Sequence, residues 1–511
     1  MPPTAAPSQR VDVAVIGGGL GGLGAALALA ERGLKVTLLE SLRYPGGCAG
    51  TFTRQGYRFD AGATLSAGFG ARQPFRRWLD RYGLPLALTP LDPVVRLRAD
   101  GLSLNVPSDR GELLRRLCAL PGAPVEGLRR FFEYQARVAA PLWALFDDTD
   151  LLPPLSARAL LAHAGRAARY APLLTCAGRP LSALLDRFGL TGFEPLRLYL
   201  DATCQITAQC GLRDVEAPVA LAALDYYAQG VAHVEGGLGE LSWALRDAVV
   251  AAGGEVRLSA RARALAPAPG GWRVSARGGD LEARAVVANL LPSAVEGLLR
   301  EGGAPAPLSP WARRAQGAVE DGWGAVMLYL VSEEGAGGEA GAAGEACEAE
   351  HWQLIGDAAA PLMEGNHVFC SVSGARELTR APRGSRVLTL STHVPMRRLL
   401  ALSDADRGAY VQRVQRDMRA LFAARCPRWS AGVYVALTAS PRTFERFTGR
   451  PRGYVGGPPR RAGLRQYLQM SPRPAAPGLY LVGDSHFPGQ SALAAAVGGE
   501  RVAARLAREL R

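Results

Sequence analysis

"VDVAVIGGGLGGLGAALALAERGLKVTLLE", residues Val11 to Glu40, decides how the rest of this 511-residue chain is read. Val11 to Ile16 is a short apolar run of the kind that forms a buried parallel strand. Gly17, Gly19 and Gly22 follow at once, with Gly18, Leu20 and Gly21 between them, and an Ala/Leu stretch then predicts a helix reaching Arg32. Gly33 stops that helix, and Val36 to Leu39 predicts a second strand that ends at Glu40. Each spacing has a physical reason. Gly17 permits the tight turn, Gly19 lets backbone approach a pyrophosphate, and Gly22 lets helix and strand pack closely. The helix N-terminus supplies unpaired N–H groups and positive potential for phosphates. Glu40 sets a carboxylate where it can accept both ribose hydroxyls and would repel a 2′-phosphate. A merely glycine-rich turn does not account for Glu40, so the stretch predicts a dinucleotide site, for NAD or FAD.

The residues downstream choose FAD. "SLRYPGGCAGTF" places Arg43, Gly46 and Gly47 just after the acid, and "YRFDAGAT" brings Gly62, Ala63 and Thr64. An NAD domain would continue into further βα units, whereas these glycine-lined segments can run along an extended cofactor. The other end of the chain offers "LVGDSHFPGQSALAAAV", Leu481 to Val497. Gly483 and Asp484 end an apolar run, Gly489 makes a turn, and Gln490, Ser491 and Ala492 open a helix. Asp484 is expected to accept a ribityl hydroxyl. The helix start is expected to direct N–H groups at the pyrimidine edge of the flavin, where negative charge develops on reduction. The two ends thus grip one noncovalent FAD. Cys48, the only thiol within these motifs, lies on the phosphate side, so covalent attachment is not expected.

Composition bounds the rest. Hydrophobic residues make up 48% and charged residues 21%, an ordinary globular balance. The formal charge is +13, carried almost wholly by arginine, since Lys35 is the single lysine. Nucleic acid is disfavoured as a partner and a membrane surface favoured. Eight scattered cysteines form no CxxC pair, and "MPPTAAPSQR" lacks the apolar core of a signal peptide, so reduced thiols and a cytoplasmic protein are expected. No uncharged apolar stretch reaches about 18 residues, so any membrane role is peripheral, on the inner face of the cell membrane. The expected fold is α/β: a Rossmann-like FAD-binding domain (residues 1–104, 223–300 and 461–511) and a discontinuous α+β substrate domain (105–222 and 301–460). Strands are predicted at "GAVMLYLV" and "SRVLTLSTHV", a helix at "DADRGAYVQRVQRDMRALFAARC", and a solvated acidic loop from Glu333 to Glu350. "LSARALLAHAGRAARYAPLL", Leu155 to Leu174, predicts a helix whose apolar band is bordered by Arg158, Arg166 and Arg169. It reads either as an interfacial membrane helix or as an amphipathic core helix.

Four stretches together resemble the flavin-dependent desaturases and isomerases that act on carotenoids, with the phytoene desaturases and retinol saturases among them, in a fold of the glutathione reductase/amine oxidase type. These are the Gly17 to Glu40 fingerprint, "GVAHVEGGLGELSWAL" (Gly230 to Leu245), "MEGNHVFCSVSGARELTRAPRGSRVLTLSTHV" (Met363 to Val394) and "GLYLVGDSHFPGQS" (Gly478 to Ser491). The middle pair looks most like the carotenoid C-3′,4′-desaturases, and "HVEGGLGEL" also fits the isomerases. The resemblance implies an apolar carotenoid substrate, a flavin that takes a hydride, loss of a proton from the adjacent carbon, no catalytic triad and no metal. It also implies a backbone contact of Ala262 with adenine. His233, His393 and His486 fall within these motifs and are read as structural; His486, two residues past Asp484, is the one candidate acid or base. Cys204 and Cys210 are read as core. The electron acceptor, a quinone or oxygen, stays open. Isomerase, ketolase and saturase activities stay open too, as does a flavin-free prenyl-binding escort, which the intact glycines, Glu40 and Asp484 disfavour. A flavin–lysine amine oxidase is disfavoured because Lys35 lies in the first βαβ unit.

Overall fold

A computed structural model describes residues 9–303, 308–335 and 348–511. Most of the predicted acidic loop lies outside these residues, as does Cys347. The described residues form two eight-stranded sheets and a helical insert.

The first sheet runs in the order Ala262–Ala268, Gly271–Ala276, Leu281–Ala288, Gln9–Ile16, Val36–Leu39, Glu255–Arg257. Leu281–Ala288 is shared along its length. Its first half pairs antiparallel with Trp272 to Val274, and its second half pairs parallel with Leu479 to Leu481. Three parallel strands therefore end side by side, releasing Gly17, Asn289 and Val482-Gly483 at one edge. Between this sheet and the last helix, Ala492–Glu509, lies the fingerprint helix Leu20–Ala30, every residue of which is buried. A helix with no polar face has to be covered all round, and glycine permits the closeness. A Cβ on Gly24 would stand 2.4 Å from the Ala496 carbonyl, and one on Gly499 2.1 Å from that of Gly21.

The second sheet is ordered Val433–Ala439, Trp323–Glu333, Ser385–Pro395, His367–Val372, Glu350–Ile355, Val95–Ala99, Leu102–Val106. The predicted strands and the helix Asp404–Arg425 are all present. The domain limits differ from expectation. Residue 104 falls inside a strand of the second sheet, because Val95–Ala99 pairs with Trp352 to Leu354. Residues 222 and 300 fall inside the helices Ala217–Leu224 and Pro292–Glu301. Helix Pro310–Glu320 sends Trp311 and Ala312 into the core of the first sheet. Residues 461–467 lie instead against the helical insert, where the Ala462 N–H bonds the Asp214 carbonyl and the Tyr467 hydroxyl bonds Glu216.

The stretch 155–174 is two short helices, Ala157–Gly165 and Ala167–Leu174, broken at Arg166, whose backbone leaves the helical range. Ala159 is the one buried residue of the first, and the second has none, so neither is a core helix. No described helix is long and apolar enough to cross a membrane.

Candidate functional site

A cavity of about 480 Å³ opens where the three parallel strands end, the crevice in which open α/β sheets bind ligands. Gly17 turns there at φ +99°, a conformation that side chains disfavour. A Cβ on Gly19 would stand 2.6 Å from Asn289 Nδ2, and one on Gly21 2.9 Å from the Gly483 nitrogen. Gly46 bonds back to the Gly18 carbonyl at 2.8 Å. No side chain among the described residues caps the fingerprint helix at Gly19, so its first N–H groups face the cavity as an anion site.

Glu40 is buried at the far end of this groove. Its Oε2 accepts the Gly18 N–H at 2.7 Å, while Oε1 accepts the Leu42 N–H at 2.7 Å and the Ser41 hydroxyl at 3.0 Å. These bonds aim the carboxylate and leave acceptor capacity for a diol. Gly62, Ala63 and Thr64 form another wall. That wall is tied to the phosphate side through the Ala63 N–H, which bonds the Cys48 carbonyl at 3.1 Å. Cys48 itself lines the cavity, and burial pushes its thiol up.

At the opposite end Asp484 faces the cavity but is already engaged. Arg450 Nη2 lies 3.0 Å from both of its carboxylate oxygens, and Asp484 holds that guanidinium charged against the cost of its burial. Gln490, Ser491 and Ala492 also line the cavity. Ser491 stands at φ +107°, strained for a serine, and its hydroxyl accepts the Ala494 N–H at 3.1 Å.

Several predicted residues lie elsewhere. Gly18 and Gly22 act behind the wall: Gly18 donates to Glu40, and a Cβ on Gly22 would meet the Gly17 carbonyl at 2.0 Å. Arg43 is exposed and Ala262 half-buried, both off the cavity wall; the neighbouring Ala260 N–H bonds the Glu40 carbonyl instead. Gly489 is also off the wall, and a Cβ there would meet Arg460 Nη2 at 1.7 Å rather than a cavity ligand. His486 does not reach the cavity. It stacks on Trp311 at 5.1 Å, with both ring nitrogens lacking a partner among the described residues, and burial lowers it to about 4. It is a neutral packing residue. His393 does line the cavity, beside Trp323, and burial lowers it to about 4. Cys204 and Cys210 are buried in the core. Lys35 is exposed and off the wall.

Beyond Asp484 the wall becomes apolar. Trp143 and Phe146 come from the end of the long helix Val125–Asp147, with Ile206, Val219 and Tyr226 from the helical insert and Phe369 and Met327 from the second sheet. The Trp143 Nε1–H bonds the Ala222 carbonyl at 2.9 Å, which leaves the indole's apolar surface for the cavity. Asn289, Arg450 and Trp143 carry no local motif, and only the fold brings them here.

The donor set fits FAD. Glu40 would take the adenosine ribose, Gly17 to Gly21 with Gly46 and Gly47 the pyrophosphate, and Asp484 with Ser491 and Ala492 the ribityl and flavin end. Residues 20–507 match the family described as flavin containing amine oxidoreductase. The chain belongs to that family and is an FAD-dependent oxidoreductase. Among its relatives, prolycopene isomerase of Daucus carota is 24% identical, over 98% of this chain and 81% of its own. Phytoene dehydrogenase of Streptomyces griseus is 32% identical over 50% of this chain and 48% of its own. These relatives agree with the carotenoid desaturase and isomerase resemblance of the motifs. Among solved structures, cyclohexylamine oxidase of Brevibacterium oxydans superposes with a TM-score of 0.59 at 16% identity, over 99% of this chain and 100% of its own, which shows the fold.

Proposed function

We propose that the protein desaturates a carotenoid, at a C-3′,4′ bond of an acyclic or monocyclic polyene, from the cytoplasmic face of the cell membrane. One observation carries the reading: a single cavity runs from the dinucleotide cradle at Gly17 and Glu40 into a pocket walled by Trp143, Phe146, Ile206, Val219 and Phe369. A polyene has no acid, base or metal handle, so such a wall can only bind it, orient it and keep water away. Bound FAD supplies the hydride acceptor. His393 is the ionisable side chain of the second sheet on this wall, and burial keeps it neutral.

The surface at 155–174 supports membrane docking. Leu160, Leu161 and Leu174 are 56%, 76% and 80% exposed, and Leu464 and Leu468 are 64% and 73% exposed on the segment 461–470. The solvent-facing Arg158 and Arg169 border the first group, which suits an anionic interface.

Expression in a lycopene-producing host tests the reading: desaturation yields a carotenoid with a longer chromophore and fewer hydrogens. Isomerisation is the second reading, favoured by the near-full-length match to prolycopene isomerases. It would change the geometry of a cis-carotenoid at constant mass.

A further inference from the structure

Behind the cavity wall lies a buried chain of polar groups that the flavin chemistry does not use. It starts at Glu377, from the "RELTRAP" stretch, whose Oε1 is 2.8 Å from His233 Nε2 and whose Oε2 accepts the Gly236 N–H at 2.7 Å. Arg380 lies 3.8 Å from the same carboxylate and 3.0 Å from Asp60. Burial raises Glu377, but the bond from His233 and the nearby Arg380 outweigh it and hold the group at about 2. An ionised carboxylate only accepts, so His233 donates through Nε2.

The chain resumes at His351, whose ring centroid is 5.5 Å from that of His233. His351 Nδ1 is 2.8 Å from the Ser371 hydroxyl, and Ser371 donates to the Thr64 hydroxyl at 2.6 Å. Ser371 has one proton and gives it to Thr64, so His351 must donate through Nδ1. Its Nε2 is then an acceptor. His233 Nδ1 and His351 Nε2 have no partner among the described residues, and the two residues are 2% and 1% exposed. At the cavity end, Thr64 accepts from Ser371, so its own proton is left for the ligand.

We propose that Thr64 is a fixed hydroxyl donor to the flavin, oriented by a His351–Ser371 chain whose imidazole is packed against the Glu377–His233 pair. This rests on reading residues 62–64 as cofactor wall. His351 and Ser371 are positioning residues that act through Thr64.

Two measurements test it. The chain has six histidines, so histidine-only ¹⁵N labelling gives a spectrum simple enough to assign by single substitutions. His351 should carry its proton on Nδ1 and His233 on Nε2, in flavin-loaded and flavin-free protein alike. The second is the flavin midpoint potential, read without turnover. Thr64→Val should shift the oxidised-to-reduced equilibrium about tenfold, which is about 30 mV for a two-electron couple. Thr64→Ser should restore the parental value, and Ser371→Ala should shift it part-way because Thr64 loses its orientation. A proton on His351 Nε2 overturns the chain. Parental potentials in both Thr64→Val and Ser371→Ala overturn the donor role, and Ser371→Ala alone decides this if Thr64→Val folds poorly. Because the histidine spectrum does not need flavin, a failed chain is distinguishable from a failed cofactor reading.

Discussion

At the scale of single residues, Asp484 lines the cavity and pairs there with the buried Arg450. The motif gives Asp484 to a ribityl hydroxyl, while the fold first gives it Arg450, which lies 34 positions earlier and bonds it at 3.0 Å. The two roles are compatible, because a carboxylate has more acceptor sites than one guanidinium fills. They change the expected cost of removing it. Asp484→Ala should loosen FAD by about ten- to a hundredfold, from one charge-assisted bond of about 1.5–3 kcal/mol. It should also strand Arg450 and lower the melting temperature of flavin-free protein. An Asp484→Ala, Arg450→Met double substitution should then melt higher than Asp484→Ala alone, because no buried cation is left unpaired. Titration of flavin fluorescence and thermal melts of the three variants check this. A double variant that melts below both singles would show that the Arg450 bond to the Tyr454 carbonyl, rather than its pairing with Asp484, holds the guanidinium. Glu40 was legible because its position at the end of the second strand is local. Arg450, Asn289 and His393 were not, because strand pairing across hundreds of residues sets their places.

Among the elements, the first and last helices pack in backbone contact. Gly24 and Gly499 let Leu20–Ala30 and Ala492–Glu509 touch backbone to backbone, and the same contact sets Gly21 against Gly483 at the pyrophosphate end. Gly499→Val should push the helices apart and cost about 1–3 kcal/mol or more, with loss of flavin beyond that of a surface control. A calorimetric scan with flavin quantitation of the purified protein checks it, and full flavin content at parental stability would contradict the packing account. The pattern at 155–174 predicted one helix. Arg166 breaks it into two, which an apolar periodicity cannot reveal because the break is a backbone event. The exposed leucines make a membrane test specific. Flotation with anionic liposomes should carry the protein upward, less so at high salt. Leu160→Ser, Leu161→Ser and Leu174→Ser together should reduce flotation at every salt concentration, while Glu at 158, 166 and 169 should reduce it chiefly at low salt. Unchanged flotation in both sets would place the contact elsewhere.

For the whole molecule, the paired strands Val11–Ile16 and Val36–Leu39 of the first sheet and two long strands of the second were readable from the sequence pattern. The exchange of segments between the sheets was not: the hairpin of Val95–Ala99 and Leu102–Val106 joins the second sheet, and helix Pro310–Glu320 packs on the first. Such choices depend on which exposed edge or apolar face awaits each segment. The buried histidines give a global expectation. His367 is lowered to about 3, and His393 and His486 to about 4, in each case chiefly by burial. Their folded values lie below the ordinary 6.5, so the unfolded chain takes up protons first. Stability should be whole above about pH 6.5 and fall as the pH drops towards 4, with Glu377 extending the loss from its ordinary 4.5 down to about 2. Melting temperatures measured from pH 7 to 4 should fall, and His486→Phe should flatten the slope; an unchanged slope would mean that His486 takes up its proton without cost. In the proposed reaction flavin and polyene meet in one cavity and hydride leaves the polyene. Anaerobic mixing of the flavin-loaded protein with carotenoid in liposomes tests it most directly. One flavin should bleach for each double bond gained, read as a red-shifted carotenoid band. A carotenoid that changes geometry with the flavin absorbance returned intact, or a flavin that bleaches with an amine and not with any carotenoid, would contradict it.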